Sequence, residues 1–119
     1  ILMIKQLYRF VRIKIKMYVI ASFENFKGTI YHVLDVLSFH FNGSKGTCVI
    51  VGGIPPILEP FLKDWADKND IHLVQCTKDD FKDLDMLFGD ISVIIFGMNT
   101  LLLKKSLELS LRYYIIKEE

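Results

Sequence analysis

Thr47-Cys-Val-Ile-Val-Gly-Gly-Ile-Pro-Pro56 is the stretch that decides the fold. An apolar run without a single charge enters a glycine pair, and a helical pattern follows from about Glu59. A strand that is apolar on both faces belongs in the interior of a parallel sheet covered by helices on both sides. Glycines at its carboxyl end let the chain turn sharply and let a ligand come close to the backbone. In open α/β folds that edge of the sheet is where ligands bind.

Working outward, the same alternation recurs. Met17–Ala21 reads as a first strand, and 28–41 as a helix with Ile30, Val33, Leu34, Leu37 and Phe41 on one face. Asn42-Gly-Ser-Lys-Gly46 reads as a loop and Thr47–Val51 as the second strand. A helix starts near Glu59, since Pro60 is tolerated only in a first turn, and stops at Asn69-Asp70. Ile71–Gln75 is the third strand, Lys78–Phe88 a short helix and Ile91–Ile95 the fourth strand. Thr100–Arg112 is the last helix and Tyr113–Ile116 the last strand. Strict alternation of strand and helix predicts a single Rossmann-like α/β domain. Its sheet is five-stranded, mainly parallel and doubly wound, with helices on both faces.

The chain has 119 residues, 51% hydrophobic, with a formal charge of +1. That length makes one domain with a real core. The charge is unevenly spread: residues 1–16 carry Lys5, Arg9, Arg12, Lys14 and Lys16 and no acid. This leaves ten basic against fourteen acidic residues, a formal −4, in the remainder. Residues 1–16 are therefore set apart as a basic extension, and 17–119 as the domain. The extension has three readings: a basic amphipathic helix with Met3, Leu7, Phe10 and Val11 opposite its cations, a strand from Arg12 onward, or a stretch outside the native protein, Met17 being a natural start. The acidic domain makes nucleic acid an unfavoured partner.

No uncharged run approaches the ~20 residues of a membrane span, so no transmembrane segment is expected. There is no secretory pattern either, and Cys48 and Cys76 form no metal-type pair. The expectation is a cytoplasmic protein with reduced thiols. His32, His40 and His72 share no metal-ligand spacing, and Asp79, Asp80, Asp83 and Asp85 lack a coordinating glycine turn. No metal is expected. Ser22 has no partnered histidine in view and no nucleophile elbow is present, so no catalytic set is assigned.

Three loops should leave the carboxyl edge with ligand-suited residues: Ser22 to Lys27, Gly52 to Glu59, and Gly97-Met-Asn-Thr100. If the first strand is central they converge on one crevice, with Asn99 or Thr100 as helix cap or ligand donor. The candidate binding residues are Ser22, Gly52, Gly53, Ile54, Glu59, Gly97, Asn99 and Thr100.

The order of residues also resembles a known family. Tyr18-Val-Ile-Ala-Ser22 with Phe26, Leu34-Asp-Val-Leu37, Val49-Ile-Val-Gly-Gly53, Trp65-Ala66 before Asn69-Asp-Ile71, and Gly89-Asp-Ile-Ser-Val-Ile-Ile-Phe96 resemble the small stand-alone members of the SLOG superfamily. These are Rossmann-like domains related to the LOG and DprA proteins, with the YspA-like branch nearest. The resemblance spans about residues 17–116. It implies a nucleotide or nucleotide-derived ligand, with Gly52 and Gly53 as the glycine pair, Ser22 as the small polar residue after the first strand, and Thr100 as the threonine of the later loop. Some LOG-type members cleave nucleoside monophosphates. Where the branch continues its glycines with Ala-Arg-Gly-Ala-Asp, this chain has Ile54-Pro-Pro-Ile-Leu-Glu59, and the LOG catalytic acid and arginine are missing. The expected function is therefore a nucleotide-type sensor or sequestering domain without strong catalysis, its cofactor unidentified. Two alternatives stand beside it: an interaction module, including a homodimer, built on the apolar loop, and a phosphoribohydrolase-type enzyme.

Overall fold

The computed structural model describes residues 16–24, 26–76 and 89–117. Their elements follow in the order β1 (Lys16–Ser22), α1 (Ile30–Phe41), β2 (Gly46–Val51), α2 (Glu59–Lys68), β3 (Ile71–Cys76), β4 (Gly89–Phe96), α3 (Thr100–Glu108) and β5 (Arg112–Ile116). The strands make one five-stranded sheet in the order β3-β2-β1-β4-β5, and every neighbouring pair is parallel. β1 is thus central. The chain builds outward from it to β2 and β3, then returns to its other side with β4 and β5. The point of reversal lies between β1 and β4, the topological switch of an open α/β sheet. The helix read over Lys78–Phe88 and the three readings of the basic extension, up to residue 15, fall outside the described residues.

Alternate strand residues feed two cores, as a period of two demands. Val19, Ala21, Cys48, Ile50, Ile94 and Phe96 face α1 and α2, meeting Val33, Leu37 and Phe41 from one helix and Leu62, Trp65 and Ala66 from the other. Ile20, Val49, Val51, Val93 and Ile95 face the opposite side, where Leu102 and Leu103 of α3 pack. Helices therefore cover both faces, as the alternation requires. Each fully buried aliphatic side chain contributes about 1.5–3 kcal/mol. Trp65 belongs to the core: its indole N–H donates to Ser38 Oγ at 2.8 Å and its ring packs on Phe41.

Helix ends follow local chemistry. Thr29 caps α1, its hydroxyl accepting from the His32 N–H, so the helix begins two residues after Gly28. Asn42 closes it in the left-handed region. α3 ends at Glu108 rather than Arg112. Ser110 takes a φ of 55°, and the N–H groups of Ser110 and Leu111 bond back to the carbonyls of Leu107 and Ser106. This is a Schellman closure with serine in the place glycine usually holds, so the residue type gave no stop signal.

Cys48 is fully buried in β2, and burial pushes its thiol up to about 12. Cys76 is partly exposed at the end of β3. A thiol reagent at mild alkaline pH is expected to modify Cys76 while Cys48 reacts only after unfolding; mass spectrometry of labelled native and denatured protein reads this directly. The fold holds the Cys48 proton more tightly than the unfolded chain does. Its contribution to stability is present below about pH 9 and is lost as pH rises from there toward 12.

Candidate functional site

Because all five strands are parallel and β1 is central, the loops after β1, β2 and β4 leave the same edge of the sheet. Among the described residues, the loops after β1 and β2 line one groove, and the loop after β4 lies against the chain that follows β1. Seven of the eight candidate residues fall into two groups, and Glu59 stands outside both.

The first group lies at the switch point itself. Ser22 and Asn99 are both buried, and Asn99 Nδ2 donates to Ser22 Oγ at 2.9 Å. The same Asn99 side chain accepts from the Leu102 N–H at 3.1 Å, capping α3. Both ends of the amide are thus engaged inside the protein. Thr100 follows as the first residue of α3 and is exposed. Gly97 has a φ of 88°, and its N–H bonds to the Ile116 carbonyl. A Cβ there would stand 2.9 Å from the Glu24 carbonyl oxygen, so the chain after β1 lies directly against this glycine.

That chain turns beside the carboxyl end of β4. A turn brings the Phe26 N–H to the Phe23 carbonyl at 3.1 Å. Phe23 stacks on Phe96 with centroids 4.9 Å apart, and Phe26 meets Phe96 edge-on at 5.4 Å. Three rings therefore pack together where the turn after β1 meets the end of β4.

Asn99→Ala is expected to cost about 2 kcal/mol, from a lost cap and a stranded Ser22 hydroxyl. Ser22→Ala should cost about 1 kcal/mol. In a double-mutant cycle by urea denaturation the pair should lose about 1 kcal/mol less than the sum of the singles. Strict additivity would show that the bond between them contributes nothing.

The second group forms the open site. A groove of about 330 Å³ lies between the turn after β1 and the loop after β2, lined by Phe23, Glu24, Val51, Gly52, Gly53, Ile54, Pro55 and Pro56. That volume falls at the small end of small-molecule sites. Gly52 and Gly53 both have positive φ, 86° and 93°, which side-chain-bearing residues rarely adopt. The Gly52 N–H is spent on the Cys76 carbonyl, and the Ile54 N–H points to Gln75 Oε1 at 3.4 Å. Ile54 itself is buried. Glu59 does not line the groove: it opens α2 and pairs with Lys63 one turn on, at 2.8 Å.

The wall residues Phe23, Glu24, Val51, Pro55 and Pro56 are absent from the candidate set. For the prolines the signal was available, since they follow the glycine pair directly. Phe23 and Glu24 lie in the loop from Ser22 to Lys27 that the sequence marks, but their contacts with Phe96 and Gly97, far along the chain, are not legible there. Among the described residues no group of three or more His, Cys, Asp or Glu side chains is arranged to hold a metal ion. No helix among them is long and apolar enough to cross a membrane.

No family model, curated protein or solved structure matches this chain.

Proposed function

We propose that the protein is a binding domain for a small nucleotide-like molecule, a sensor or sequestering module without strong catalysis, and that the ligand sits in the groove beside Gly52 and Gly53. The observation that carries this reading is the glycine pair. Both residues hold backbone conformations suited to glycine, at the carboxyl end of a strand next to the central one, and they form the wall of an open groove. A backbone without side chains beside apolar walls suits the flat face of a heterocycle. The resemblance to the SLOG superfamily, with its nucleotide-type ligands, points the same way. A phosphoribohydrolase reading has less behind it, because the acid and arginine of the LOG catalytic motif are missing from the sequence, and Glu59 lies outside the groove, paired with Lys63.

Mass spectrometry of small molecules released from the purified, denatured protein tests the proposal. A nucleotide-like compound in near-stoichiometric amount is the expected result. Absence of such a compound, together with no binding from a broad nucleotide and nucleoside panel at millimolar concentration, would remove it.

One observation favours a second reading, an interaction surface that includes a homodimer contact. Ile57 and Phe61 lie one turn apart at the outer rim of the loop, 72% and 47% exposed. Two neighbouring apolar side chains in water suit a protein contact. Light scattering would show a concentration-dependent mass that Ile57→Lys abolishes; a strict monomer sinks the homodimer.

A further inference from the structure

Independently of the groove, we propose that β5 is a self-association edge: two copies of the chain pair their β5 strands antiparallel about a two-fold axis at Tyr114, joining their sheets into one. β5 ends the sheet, and β4 is its only strand neighbour among the described residues. The outer flank of an end strand carries backbone N–H and C=O groups that another strand can take up, and proteins commonly guard it with charge, proline or a bulge. Tyr113-Tyr-Ile-Ile116 has no charge and no proline, and its register with β4 is unbroken.

The other end strand shows the difference. In β3 the exposed positions are His72 and Gln75, both polar, while Ile71 is buried. In β5, Tyr113, Tyr114 and Ile115 are 40%, 41% and 37% exposed. These side chains occupy both faces of the edge. Tyr113 and Ile115 stand in register with Val93 and Ile95, on the α3 side, and Tyr114 with Ile94, on the α1 side. On that second face the apolar surface continues. The Tyr114 and His40 rings lie with centroids 4.5 Å apart, and His40 meets Phe39, itself 78% exposed. Phe39 and the three strand residues expose roughly 400 Å² per copy, about half of what one partner gives up in a specific interface, and the pairing backbones add to this.

A second copy is the occupant this edge fits, because the strand is complementary to itself. In the antiparallel register centred on Tyr114, Tyr113 lies opposite Ile115 of the second copy and Tyr114 opposite Tyr114, each pair sharing a face. The two-fold axis repeats every contact. Arg112, the one charged residue of β5, comes opposite Ile116, and its guanidinium is already paired with Asp90 of its own chain. Self-pairing therefore buries no uncompensated charge.

Sedimentation of the full chain from micromolar to millimolar concentration tests the proposal. A mass rising to twice that of one chain is expected. Tyr114→Lys, which puts a charge at the centre of the pairing, should weaken the dimer by about tenfold or more, with circular dichroism showing that the fold is kept. Ile57→Lys, at the rim of the glycine loop, should leave the dimer unchanged. Tyr114→Cys separates pairing from folding. Residues directly opposite in an antiparallel pair have Cα atoms about 4.5–5.5 Å apart, within disulfide reach. Mild oxidation should therefore give linked chains, with the bond placed at position 114 by peptide mass spectrometry. A strict monomer across that range, a Tyr114→Cys protein that never links through position 114, or a dimer that Ile57→Lys abolishes and Tyr114→Lys spares would overturn the proposal.

Discussion

Phe96→Ala is expected to lower stability by about 3–5 kcal/mol, the range for removing a large aromatic side chain from a packed interior. Phe96 is fully buried at the end of β4, in the same core as Val33, Leu37 and Phe41 of α1. Two of its neighbours, Phe23 and Phe26, hold the turn after β1, and Phe23 also lines the groove. The loss should therefore show twice. Urea denaturation reads the stability, and ligand titration reads a site whose first wall has lost its backing. Phe96→Leu separates the two effects. It keeps most of the volume, so it should cost under about 1.5 kcal/mol in packing, plus about 0.5–1.5 kcal/mol for the lost ring contacts. A Phe96→Ala protein as stable as the parent would mean that the three rings do not pack as a unit.

Gly97→Val should cost about 3–4 kcal/mol, read as a fall in Tm of roughly 10–15 °C. Two causes add. A β-branched residue at a φ of 88° is strained by about 1–3 kcal/mol. Its Cβ would also stand 2.9 Å from the Glu24 carbonyl oxygen, a backbone atom that can move only if the whole turn moves. Gly43 is the matched control. It also has positive φ, 77°, but a Cβ there meets nothing within 4 Å, so Gly43→Ala should show the conformational penalty alone, about 1 kcal/mol. Equal losses at the two positions would argue that the turn after β1 does not rest on Gly97.

What the amino-acid sequence revealed depended on how local the cause was. Uncharged runs such as Val49-Ile-Val51 and Val93-Ile-Ile95 disclose interior strands, because burial on both faces leaves no room for a polar alternate. Pro60 and Asn69-Asp70 disclose the ends of α2, because helix starts and stops act within a turn. The end of α3 was not legible: Ser110 adopts a conformation that its side chain does not advertise. In the site, the glycine pair was readable from its own neighbours. The fates of Ser22 and Asn99 were not, since each is fixed by the other across the sheet. Two polar residues at the carboxyl edge look alike in sequence whether they face a ligand or one another. The cluster of Phe23, Phe26 and Phe96 is illegible for the same reason, since its rings meet only when the turn after β1 reaches the end of β4.

The strand order carries a consequence for how the chain is made. β1 is synthesised before every other described strand, yet it lies between β2 and β4, with Ile20 beside both Val49 and Val93. On the ribosome one flank of this apolar strand stays without its partner until most of the domain has emerged. Pairing over such sequence separation slows folding and prolongs the exposure of a sticky edge. A nascent chain halted before β4 would hold a bare apolar strand where the finished protein has its most protected one, so a stalled ribosome is the setting in which this domain is most open to aggregation.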